Sequence, residues 1–122
     1  MAAANVLVLE DDEATAQLIK FFLKEEGCIV RIASHVKEFW NLLEEELPDL
    51  ISLDIVLPDG DGFEVFEALT NKPRTKDIPV VIVTVQEHEI DKGSRMGARE
   101  FVIKPFTEGD LKKAFSAVLK SS

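Results

Sequence analysis

The chain has 122 residues, 46% of them hydrophobic, one cysteine and a formal net charge of −9. That length suits one domain with a single core and leaves no room for a second, and the acid excess disfavours binding to nucleic acid, which needs clustered Lys and Arg. The opening MAAANVLVLEDD has no basic region and its apolar run ends in acids, so neither a secretory signal nor a membrane span is expected, and the protein reads as soluble and cytoplasmic.

Val6 to Leu9 is the first short apolar run, ended by Glu10-Asp11-Asp12 and followed by a helical pattern carrying Leu18, Ile19 and Phe22. Cys28 to Ile32 is a weaker strand, and Arg31 within it predicts a sheet edge. The lone Cys28 excludes an internal disulfide and reads as a buried thiol in a reducing compartment. Val36, Phe39, Trp40 and Leu43, spaced by three and four, predict a second helix. Leu50 to Leu53 runs straight into Asp54, and Phe63, Phe66 and Leu69 mark a third helix. Val80 to Val83 ends at Thr84. A fourth helix within Gln86 to Met96 is poorly signalled, because apolar residues are few and Gly93 costs about 1 kcal/mol relative to Ala. Phe101 to Ile103 leads to Lys104-Pro105. The last helix is the clearest, with Leu111, Ala114, Phe115, Val118 and Leu119 on one face and Thr107 and Asp110 as a capping box. Pro48, Pro73 and Pro79 fall in connections, where a missing N–H does least harm.

The strands are apolar nearly throughout rather than alternating, as strands covered on both faces are. Alternation with helices and right-handed crossovers predicts an α/β domain with a doubly wound parallel sheet.

The segment DIVLPDGDGFE, Asp54 to Glu64, contains a run resembling the core of an EF-hand. With Asp59, Asp61 and Gly62 in the third, fifth and sixth loop positions, however, the first is Leu57 and the twelfth Ala68, so both end ligands are missing. The chemistry is better sought where the central strands end: Glu10-Asp11-Asp12, Asp54, Thr84 and Lys104-Pro105. In an open α/β sheet the carboxyl ends of the strands form one edge, where ligands bind. Carboxylates crowded there repel one another, and a hard dication relieves this. Magnesium suits, because it takes one or two carboxylates and fills its other positions with water and phosphate oxygens. Lys104 and the Thr84 hydroxyl then offer a point charge and a hydrogen bond to a phosphoryl group, and Asp54 is the candidate nucleophile that becomes an aspartyl-phosphate. No GxxxxGK[ST] loop, GxGxxG fingerprint or G-x-S-x-G elbow occurs. His35 and His88 lie away from the strand ends and read as surface residues, and Ser52 lies inside a strand.

These residues carry a resemblance over essentially the whole chain, 1–122, to the response-regulator receiver domains of two-component phosphorelay signalling. VLVLEDD resembles the family's first strand and acidic pocket, ISLDIVLPDGDGFE its phosphoacceptor strand and following loop, VVIVT its fourth strand, and GAREFVIKPF its fifth-strand signature. The resemblance implies a flavodoxin-like (βα)5 fold of strand order 2-1-3-4-5. It implies Asp54 as phosphoacceptor, Asp11 as direct magnesium ligand, Glu10 as a ligand through water and the Val56 carbonyl as a third protein contact to the metal. It further implies Thr84 and Phe101 as switch residues, Lys104 as phosphate-binding lysine and a cis Lys104-Pro105 peptide. The implied donor is a phosphohistidine on a sensor histidine kinase or a histidine phosphotransfer protein. The output is a downstream effector bound through the face of the fourth helix, fifth strand and fifth helix, and the chain is a signalling phosphoacceptor acting on itself rather than an enzyme.

Three features depart from the family pattern. Phe101 lacks the hydroxyl of the more frequent tyrosine, Val85 replaces a smaller residue, and the stretch from Thr84 to Lys104 is about two residues short, which falls on the fourth helix. Val85 and Gln86 stand at the rim, where a branched side chain shields an aspartyl-phosphate from water and an amide could orient that water. Two rival readings are a haloacid-dehalogenase-like phosphatase, which normally shows D-x-D where this chain has Asp54 and Val56, and a receiver-like interaction module that is never phosphorylated.

Overall fold

The computed structural model describes residues 3–85 and 87–120, with the His88 side chain left aside. Its elements are β1 Asn5–Leu9, α1 Glu13–Glu25, β2 Ile29–Ala33, α2 Val36–Glu45, β3 Leu50–Leu53, a hairpin of β4 Val56–Leu57 and β5 Gly60–Asp61, α3 Gly62–Thr70, β6 Val80–Thr84, α4 Ile90–Met96, β7 Glu100–Ile103 and α5 Glu108–Lys120. The main sheet is parallel with order β2-β1-β3-β6-β7. Leaving the hairpin aside, this is the order 2-1-3-4-5, and the fold is flavodoxin-like.

Each central strand sends alternate side chains to opposite faces, so one run of apolar residues feeds two cores. Leu7, Leu9, Ile51, Leu53 and Ile82 pack with α2 and α3. Val6, Val8, Leu50, Val81, Val83 and Val102 pack with α1 and α5. Leu9 lies beside both Ala33 and Leu53, Leu53 beside Ile82, and Thr84 beside Ile103. This register brings Glu10, Asp54, Thr84 and Lys104 to one edge.

The predicted helix boundaries have visible causes. Asp12 caps α1, accepting from the Thr15 amide at 2.9 Å. In α5 the capping box is reciprocal: the Asp110 amide donates to Thr107 Oγ1 at 3.1 Å, and the Thr107 amide donates to Asp110 Oδ2 at 2.9 Å. Two expectations, for Leu18 and Cys28, need correction, and two segments gain a structural part. Leu18 is exposed, and Ala16, Ile19, Phe22 and Leu23 form the buried face of α1 instead. Cys28 is buried, as expected, but precedes β2; its amide bonds to Leu23 O at the end of α1, across Gly27 at φ 87°. The stretch Asp59 to Gly62, where the EF-hand frame fails, builds the junction between β3 and α3. Asp59 Oδ1 accepts from the Val36 amide of α2 at 2.8 Å, Gly60-Asp61 pairs with Val56-Leu57, and Asp61 caps α3. His35, placed on the surface by the sequence, has a structural part: its Nδ1 accepts from the Glu38 amide at 3.3 Å and caps α2.

The fourth helix is a short 3-10 turn, Glu87–Glu89, followed by the seven residues of α4. Gly97, at φ 101°, ends it in the left-handed conformation.

Candidate functional site

The Asp54 amide bonds to Leu9 O at 3.0 Å and the Glu10 amide to Ala33 O at 3.0 Å, so both acidic side chains leave the sheet just past its last ladder bonds. Lys104 is fixed from the other side, its amide donating to Thr84 O at 2.8 Å, and the Lys104–Pro105 peptide is cis. Gly62 makes room beneath Asp54. A Cβ there would overlap the Asp54 carbonyl oxygen and come within 2.6 Å of the Ile55 Cα, so α3 can begin at that point only with glycine.

Glu10, Asp11 and Asp54 each present a carboxylate oxygen within 4.8 Å of the others. Lys104 Nζ stands 2.6 Å from Glu10 Oε1 and 3.1 Å from Asp54 Oδ2. The second Asp54 oxygen, Oδ1, accepts from the Val56 amide at 3.3 Å, and Glu10 Oε2 accepts from the Asp12 amide at 3.1 Å. Glu10 and Asp54 are buried, whereas Asp11 is exposed. Glu10 Oε1 is buried without an aligned hydrogen-bond donor, so the short approach of Lys104 acts on it as an ion pair.

The two partners of that ion pair shift in the same direction for different reasons. Burial pushes the Glu10 carboxyl up to about 7, the Lys104 contact pulls it down by less, and the Asp54 charge adds to the rise. Burial works against the Lys104 charge too, but Glu10 and Asp54 outweigh it and hold that pKa above the usual lysine value. One lysine therefore faces more negative charge than it neutralises. The three oxygen donors fit a hard dication, which prefers carboxylates and tolerates waters in its remaining positions.

Thr84 is fully buried at the end of β6, Val85 beyond it is 62% exposed, and Val56 is 51% exposed. Phe101 is half-buried, beside Ile82 in the sheet and packed on the α2–α3 side of the core. The structure thus gathers Glu10, Asp11, Asp54 and Lys104, sets Thr84 on the neighbouring strand end and Val56 in the adjoining hairpin, and leaves Phe101 three residues below Lys104. Gln86 lies outside the described residues. Gly62 was not singled out in the sequence; the signal was a glycine eight residues after the strand-end aspartate and opening an apolar helix pattern.

The family model for the response regulator receiver domain matches residues 6–116. The chain belongs to this family. A 14.6 kDa uncharacterized protein encoded in the sodA1 3′ region of Leptolyngbya boryana is 36% identical over 107 residues, covering 86% of this chain and 82% of that protein. Among solved structures, the chemotaxis response regulator CheY4 of Vibrio cholerae is 25% identical with a TM-score of 0.88, covering 96% of this chain and 99% of the other. The receiver domain of a signal transduction histidine kinase from Syntrophus aciditrophicus is 26% identical with a TM-score of 0.86, covering 98% and 92%. As a receiver domain the chain is a component of the two-component signalling type, a class of phosphoacceptors rather than of ordinary enzymes. Among its described residues no helix is long and apolar enough to cross a membrane.

Proposed function

We propose that this receiver domain, taken as residues 1–122, accepts a phosphoryl group on Asp54 from a phosphohistidine in the cytoplasm and thereby changes its affinity for a downstream effector. The observation that carries the reading is the placement of Lys104 Nζ 3.1 Å from Asp54 Oδ2, inside a cluster shared with Glu10 and Asp11. An Asp54 oxygen attacks phosphorus, the P–N bond to the donor imidazole breaks, and the imidazole leaves with the bonding pair. Transfer of this kind depends on positioning and charge neutralisation. Lys104 holds Asp54 through Oδ2 and is placed to move onto a phosphoryl oxygen, and the Thr84 hydroxyl is the second donor on that side. Magnesium would be held by Asp11 and Asp54 directly, by Glu10 through water and by the Val56 carbonyl, and would supply positive charge against the phosphoryl oxygens. Phe101 and Thr84 would report the modified state to the face of α4, β7 and α5.

A haloacid-dehalogenase-like phosphatase would need an acid two residues after its nucleophile, and Val56 has none. An interaction module that is never phosphorylated would have no need of Lys104 between two buried carboxylates. Incubation with acetyl phosphate and magnesium, followed by intact-mass measurement, should add one phosphoryl group to the parent and none to Asp54→Asn. Label retained by that variant, or a parent that takes none, would overturn the reading.

A further inference from the structure

Gly93 is the one buried residue of α4. A Cβ built there would lie 2.7 Å from Ile82 Cδ1 and 2.8 Å from Phe101 Cε1, with Phe101 Cζ at 3.3 Å. No real Cβ occupies such space, so the short helix rests its backbone directly on the Phe101 ring. The helix is seven residues long and entered from a 3-10 turn; besides Gly93 it sets Lys92 Nζ 4.5 Å over the Phe63 ring of α3 and packs Met96 against the α2–α3 core. The strand that carries the ring is tied to the site. Phe101 pairs with Ile82 across the β6–β7 ladder, Ile103 pairs with Thr84, and Lys104 follows with its amide on Thr84 O. Lys104 Nζ then reaches Asp54.

From this chain of contacts we propose that Gly93 is a positioning residue for the phosphoryl site: its missing side chain is the seat of the Phe101 ring, and that seat decides how well the end of β7 presents Lys104 to an anion on Asp54. The proposal deepens the phosphoacceptor reading given above and rests on it for the anion. It also accounts for a glycine in mid-helix, which helix propensity alone disfavours. Filling the seat forces either α4 off the strand or the ring toward the open edge of β7, and in both cases β7 loses the support behind Lys104. Because Ile82 Cδ1 crowds the same space, trimming Ile82 returns room for the ring.

The test uses Gly93→Ala and the double variant Gly93→Ala/Ile82→Val in the full chain, with Ile82→Val alone as control. Two readouts are taken: the ring resonances of Phe101 with labelled phenylalanine in the metal-free protein, and calorimetric affinity for beryllofluoride in the presence of magnesium. Gly93→Ala should shift the Phe101 resonances and weaken beryllofluoride by about fivefold or more, the scale of a typical coupling between sites, with magnesium binding alone unchanged. The double variant should recover part of both effects. Unmoved ring resonances, an unchanged beryllofluoride affinity, or a loss that the Ile82 trim does not relieve would each overturn the proposal. If Gly93→Ala does not fold alone, Gly93→Ala/Ile82→Val against Ile82→Val supplies the comparison: shifted Phe101 resonances with weaker beryllofluoride binding support the proposal, and coincident resonances or equal affinities would overturn it. A parent that binds no beryllofluoride would count against the phosphoacceptor reading, and the ring resonances would still decide whether Gly93 seats Phe101.

Discussion

Glu10 is the residue whose surroundings make the most definite demand. Its carboxyl is raised from 4.5 to about 7 by burial, so the folded state favours the protonated form more than the unfolded chain does. The stability this contributes is fully present below the unfolded value and is lost as pH rises through about 7. In metal-free buffer the protein should therefore weaken between about pH 4.5 and 7, by no more than about 3 kcal/mol, since a tenfold change in proton affinity corresponds to about 1.36 kcal/mol and solvent screening takes away part of it. Urea titrations across that range should show the decline, and Glu10→Gln should flatten it. A decline that persists unchanged in Glu10→Gln would assign it elsewhere. Lys104, also raised, adds stability that is lost only above its ordinary range, so it does not confuse the window. At the rim, the exposed Val85 follows the buried Thr84. Hydrolysis of an aspartyl-phosphate needs a water in line about 3 to 3.5 Å from phosphorus, and a branched side chain there obstructs it. Decay of the phosphorylated protein should be faster in Val85→Ala, with folding checked separately; an equal or slower decay would show that Val85 does not guard the site.

At the scale of elements, the decisive junction is the one between β3 and α3. The hairpin reverses the chain, Asp59 ties it to α2, Asp61 caps α3, and Gly62 passes against the backbone of Asp54 and Ile55. Gly62→Ala has no flexible side chain to push aside, because the obstruction is backbone. A loss of about 2 kcal/mol or more is expected, at the upper end of ordinary single-substitution costs, together with weaker magnesium binding because Asp54 moves. Thermal unfolding and calorimetry check the two parts. A stable variant with full metal affinity would mean that the junction relaxes freely. The α4 segment is the opposite case, a short element whose closest approach, Gly93 on Ile82 and Phe101, is to side chains rather than to backbone.

At the scale of the molecule, folding and the site oppose each other. Two apolar layers hold the sheet while its carboxyl edge gathers three acids around one lysine. A ligand that binds only the folded state stabilises it by RT ln(1 + [L]/Kd), which is about 2.7 kcal/mol at a hundred times Kd. Magnesium should raise the melting temperature of the parent markedly and that of Asp11→Ala much less. An equal rise in both would remove Asp11 from the metal site.

Much of this was legible in the sequence because a parallel sheet writes itself plainly. The runs Val6 to Leu9, Leu50 to Leu53 and Val80 to Val83 must be apolar on both faces, and the polar residues that end them mark the carboxyl edge of the sheet. Asp54, Asp11, Glu10 and Lys104, read at those strand ends, stand together in the fold. The exposure of Leu18 was not legible, since a helical pattern shows spacing but not how wide the buried stripe is. Nor was the capping by His35, which depends on a 3.3 Å approach to one amide. Gly93 shows the division most clearly. In the sequence it is a helix breaker that weakens the expectation of α4; in the fold it is the gap into which the Phe101 ring fits. The residue order determined the strands and the polar groups at their ends, because hydrophobicity and charge are properties of each residue type. The fit of glycine against ring and backbone belongs to the tertiary structure, because it depends on atoms separated along the chain and brought together only by packing.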